Sequence, residues 1–101
     1  MRTSEIHTIS KVIKNEYFYL SDPVRLIIPK LLMYATNELD FFTLLELSKR
    51  DSIRNLILKT VKEDSNPKEK LAKISKRRKN KSLTQKTNFA LIKYNELSKI
   101  N

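Results

Sequence analysis

The chain of 101 residues contains no glycine and no cysteine. Without glycine there is no glycine-rich loop to cradle a nucleotide phosphate. Turns that would use glycine for a positive φ must be made by other residues, and Asn80 and the stretch Ser48 to Arg50 are where that burden falls. Without cysteine there are neither disulfides nor thiolate metal sites, which suits a reducing compartment. One histidine, His7, and carboxylates scattered from Glu5 to Glu96 without an assignable pair leave no constellation for acid–base or nucleophilic chemistry. Neither an enzyme, a cofactor nor a metal is expected. No apolar run approaches the roughly 20 residues of a membrane span. The opening MRTSEIHTIS lacks the apolar segment of a signal peptide, so the expectation is a soluble cytoplasmic protein without membrane contact.

Negative charge is also scarce, but only in one place. Residues 1–67 hold 10 Lys/Arg and 9 Asp/Glu, whereas residues 68–101 hold 11 Lys/Arg with Glu69 and Glu96 alone, so nearly all of the net +10 belongs to the last third. Its densest part, SKRRKNKSLTQKT at 75–87, places Lys76, Arg77, Arg78, Lys79 and Lys81 within six positions and contains no carboxylate. Such a run repels itself unless a polyanion lies against it. Nucleic acid is the commonest polyanion in cytoplasm, although an acidic protein or a lipid surface would serve.

A hydrophobic fraction of 40% and this length describe one small folded domain. An N-terminal helix over 4–20 sets Ile6, Ile9, Ile13, Tyr17 and Leu20 on one face. In a second helix, Asp22 can cap and Pro23 suits the first position. Its wide apolar arc (Val24, Ile27, Ile28, Leu31, Tyr34, Ala35) predicts a central place in the fold. Pro29 predicts a kink there, or a helix that starts only after VRLII. A short helix with Asp40 as cap carries Phe41, Leu44, Leu45 and Leu47. The next begins at Asp51 and Ser52 and buries Ile53, Leu56, Ile57, Thr60 and Val61. Its other face, Ser52, Asn55, Lys59 and Lys62, offers groups able to contact phosphates and base edges in a major groove.

Two readings stay open for residues 65–87. Asn66, Pro67 and Glu69 match a helix start, whereas KNKSLTQKT suits a small hairpin with Lys79 and Asn80 near its tip. A terminal helix over 88–101, with Thr87 as its cap, is apolar over more than half its circumference. It calls for two partners, the domain core and a second subunit. Ile6, Ile9 and Ile13 of the first helix and Phe89, Tyr94 and Leu97 of the last are the candidates for homodimer contact.

Taken in order, Asp22-Pro23-x-Arg25-Leu26, then Asp40-Phe41-x-x-Leu44, then Asn55-Leu56, then the basic run and a terminal helix, the chain resembles the ArsR/MarR-like winged helix-turn-helix transcription regulators, especially the small archaeal type. That resemblance implies an α+β fold, mostly helical, with a helix-turn-helix within 22–64, a basic two-stranded wing within 65–87 and a dimerising C-terminal helix; the alternative is an all-α fold. It implies double-stranded DNA as partner, with helix 51–64 in the major groove through Ser52, Asn55, Lys59 and Lys62. Lys76, Arg77, Arg78, Lys79 and Lys81, within the basic segment 73–81, would then lie on the backbone. Other readings are an RNA-binding component using 67–79 as a basic helix and Tyr17, Phe18 and Tyr19 to stack on bases, or a protein-interaction module for an acidic partner.

Overall fold

A computed structural model describes residues 3–15 and 20–100, with side chains for 5–15 and 20–99. The described residues form six helices, α1 (Thr3–Lys14), α2 (Asp22–Tyr34), α3 (Glu38–Leu47), α4 (Asp51–Glu63), α5 (Pro67–Arg77) and α6 (Lys81–Ile100). They contain no strand. The expected α+β fold with a winged helix-turn-helix is therefore wrong, and the all-α alternative is what forms. The predicted helix over 4–20 is α1, which ends at Lys14; Tyr17, Phe18 and Tyr19 lie outside the described residues.

The wing fails for local reasons. Asn66 accepts a hydrogen bond from the Glu69 backbone N–H at 3.5 Å and donates to the Glu69 carboxylate at 3.0 Å, with Pro67 in the first turn of α5. The cap satisfies a first-turn backbone donor, the two side chains are tied to one another, and the Asn66 backbone N–H donates to Asp64 at 3.0 Å. Leu71, Ile74 and Ser75 then bury one side of the helix. Where the hairpin tip was expected, Asn80 is a second cap, its side chain accepting from the Leu83 N–H at 2.8 Å. From there Leu83, Thr87, Ala90 and Tyr94 follow one another into the core at helical spacing. Thr87, expected to cap the last helix, sits six residues inside it and donates its hydroxyl to the Leu83 carbonyl at 3.0 Å. The terminal helix thus starts at Lys81, seven residues earlier than the spacing after Thr87 suggested.

The centre of the molecule is α3, not α2. Asn37, rather than Asp40, caps it by accepting from the Asp40 N–H at 2.9 Å. Phe41, Phe42, Leu44, Leu45 and Leu47 are all buried, and so are Asp40 and Thr43 between them, and α2, α5 and α6 pack around it. Phe42 meets Phe41 and Tyr94 edge-on, with centroids 5.3 and 6.3 Å apart. The two acids of α3's first turn are provided for: Ser75 donates to Asp40 at 3.2 Å, and Tyr94 donates to Glu38 at 3.2 Å.

Helix α2 lies to one side and runs through Pro29 without ending. Pro29 cannot donate to the Arg25 carbonyl, and both residues are exposed, so water can satisfy that oxygen. The missing glycine is also explained. Ala35 and Asp64 end α2 and α4 by swinging to ψ 139 and 142, at φ −68 and −79. Ser48 and Arg78 follow α3 and α5 at φ −71 and −104. None of these exits enters the left-handed region that favours glycine.

Candidate nucleic-acid interface

Three residues, Ser48, Lys49 and Arg50, turn α3 into α4, the spacing of a helix-turn-helix unit. Side chains hold this turn. The Ser48 hydroxyl donates to the Leu45 carbonyl at 2.6 Å, and Arg54 donates to the Ser48 carbonyl at 3.1 Å while pairing with Asp51. Ile53, Ile57 and Thr60 seat α4 on the domain. Its other side leaves Ser52, Asn55, Lys59 and Lys62 exposed, all four as the spacing predicts, with Leu58 exposed among them. From Ser52 to Lys62 this row is about 15 Å long at the α-helical rise.

The five cations of the basic run surround a corner instead of a wing. Lys76 and Arg77 belong to the last turn of α5, Arg78 and Lys79 connect, and Lys81 opens α6. All five are exposed. Among the described residues none of them pairs with a carboxylate, in contrast to Lys73, held to Glu69 at 3.5 Å, and Lys93, held to Glu96 at 3.9 Å. The first turn of α6 contains no acid, so its N-terminal dipole adds to the positive field there.

An open cleft of about 230 Å³ lies between the α3–α4 turn and the start of α6, lined by Glu46, Lys49 and Arg50 on one side and Asn80, Ser82 and Lys86 on the other. The start of α6 therefore faces the α3–α4 turn across this cleft. In the cleft the mostly buried Glu46 carboxylate lies 3.1 Å from Lys49 and 3.5 Å from Lys86. Lys59 stands about 13 Å along α4 from Arg50, so Ser52 lies next to this turn, and Lys59 and Lys62 lie toward the far end of α4.

Lys49, Arg50 and Lys86 were absent from the predicted interface. The three-residue spacing of Glu46 and Lys49 is a local signal that could have marked the first. Lys86 is forty positions from Glu46, and only the packing of α6 on α3 joins them.

The predicted homodimer face is largely spent within the chain. α1 packs on α6 of the same molecule. Ile9 and Tyr94 are 1% and 8% exposed, and Ile13 and Leu97 are half-buried against the core. Ile6 and Phe89, at 36% and 55%, stay outside. Tyr94's hydroxyl titrates above the usual tyrosine value, chiefly because burial disfavours the phenolate and secondly because the Glu38 charge opposes it.

His7 is exposed, and among the described residues no three His, Cys, Asp or Glu side chains gather as a metal site would require. No described helix is long and apolar enough to cross a membrane. No protein-family model, no curated protein and no solved structure matches the chain.

Proposed function

We propose that the protein binds double-stranded DNA as a helix-turn-helix module, in a regulatory or architectural role. The observation that carries the reading is the corner: Lys76, Arg77, Arg78, Lys79 and Lys81 are exposed and without a carboxylate partner among the described residues, where α5 passes into α6. Cations held in that way lose nothing internal when they meet phosphates, and each contact releases condensed counterion. The exposed row of α4 supports the second half of the reading. A major groove about 12 Å wide admits a helix. Asn55 can pair with an adenine edge there, Ser52 with either base or phosphate, and Lys59 and Lys62 with the backbone. With α3 enclosed, backbone contact beside the groove falls to Lys49 and Arg50 in the turn. A twofold pairing through α1 and α6 would use what stays exposed of that surface, around Ile6 and Phe89, and sizing chromatography at two loading concentrations reads it.

A mobility-shift titration with random duplex at two salt concentrations is the test. Affinity should fall with a log–log slope of about 0.9 per phosphate contact. The triple variant Arg77→Glu, Arg78→Glu, Lys79→Glu should abolish the shift, whereas Asn55→Ala should leave random-duplex affinity nearly intact and relax sequence preference. A triple variant that still shifts duplex at moderate salt removes the corner from the interface. The helical form of α5 favours a second reading, a basic helix laid on RNA. Competition of single-stranded RNA against duplex in the same titration decides between them.

A further inference from the structure

Helix α2 carries more apolar surface than the fold covers. Val24, Ile27 and Leu31 face inward and are buried. Leu26, Pro29 and Met33 lie on the opposite side at three- and four-residue spacing, and Leu26 and Met33, 78% and 64% exposed, are the most exposed of the described large hydrophobic residues. At 3.6 residues per turn, Arg25 falls on one flank of this stripe and Lys30 on the other. Both are exposed, and neither pairs with a carboxylate among the described residues. Asp22 stands at the N-terminal end of the same side. A helix apolar on two opposite faces is expected to be covered on both, and the described residues cover one.

We infer that the outer stripe of α2 is a docking strip for an acidic amphipathic helix of a partner protein. The partner's apolar residues, spaced by three and four, pack across Leu26, Pro29 and Met33, and its flanking carboxylates meet Arg25 and Lys30. Charge selects this occupant. A second copy laid on the strip would bring Arg25 and Lys30 of two chains toward one another with only Asp22 to offset them, whereas an acidic helix relieves both cations. The strip does not depend on DNA binding, and the two are separable by experiment.

The test uses the full chain, labelled with nitrogen-15 and titrated with a synthetic amphipathic helix bearing leucines on one stripe and glutamates on both flanks. Chemical-shift changes should concentrate in α2. Leu26→Ser with Met33→Ser should weaken binding by about tenfold or more, while melting temperature and duplex affinity stay as in the parent, because both side chains are in solvent. A peptide with lysine in place of each glutamate should not bind. The inference is overturned if the lysine peptide binds equally, if neither peptide binds, or if the shifts map elsewhere. It is also overturned if sedimentation equilibrium shows a dimer that the double substitution dissolves, since the strip would then belong to a second copy.

Discussion

Helix α3 and the corner at 76–81 are opposites in the same small domain. In α3 seven of ten side chains are buried, and the two acids of its first turn have hydrogen-bond donors. At the corner five cations stand in water with no partner among the described residues. One is defined by packing and the other by charge. The difference teaches where each kind of change should register: at α3 in stability alone, at the corner in binding alone.

The comparison breaks most visibly in the interior. Phe42→Ala removes a fully buried ring that touches Phe41 and Tyr94 and should cost about 3–5 kcal/mol, read by urea unfolding; a loss under about 1 kcal/mol would mean that α3 is not enclosed. Asn80→Ala stands between the two regions. It removes the cap of α6 without touching a cation, and should lower stability by about 1 kcal/mol. The triple reversal at Arg77, Arg78 and Lys79 should change stability by no more than about 0.5 kcal/mol, with any shift upward as self-repulsion is relieved.

The smallest effect is confined to alkaline pH. Tyr94's folded value lies above the ordinary 10.0, so its neutral hydroxyl contributes stability that is fully present below that pH. The contribution is lost as pH rises toward the folded value. Tyr94→Phe should be less stable than the parent near neutrality, having lost the bond to Glu38, and the gap should narrow above pH 10.0. Paired thermal melts across that range check it; a gap that stays constant sinks the assignment.

How much of this was legible depends on whether the signal is local. The exposed row of α4 and the start of α5 could be read because spacing and caps act within a few residues: Ser52 to Lys62 repeats at helical intervals, and Asn66 needs only Glu69. The hairpin reading of KNKSLTQKT was wrong because Asn80 both favours turns and caps helices. Only the burial of Leu83, Thr87, Ala90 and Tyr94 on one side decides which. The central place given to α2 was wrong for a different reason. Periodicity reports how apolar each face is, and α2 is apolar on the side that the core uses and on the side that it does not. The Glu46 bridge to Lys86 had no signal at all within reach of a sequence window. Of the residues expected at a homodimer face, Ile9 and Tyr94 are buried because α1 packs on α6 inside one chain, a pairing of distant segments that spacing does not report, whereas Ile6 and Phe89 stay exposed.

A ten-residue helix is too short to persist alone in water, and this one is walled in by its neighbours. It therefore has no stage of assembly at which it can wait for them. Cutting the chain ahead of Lys81 would remove one of those walls and erase the middle of the protein with it, so unfolding should run as a single sharp event with no partly dismantled form to collect.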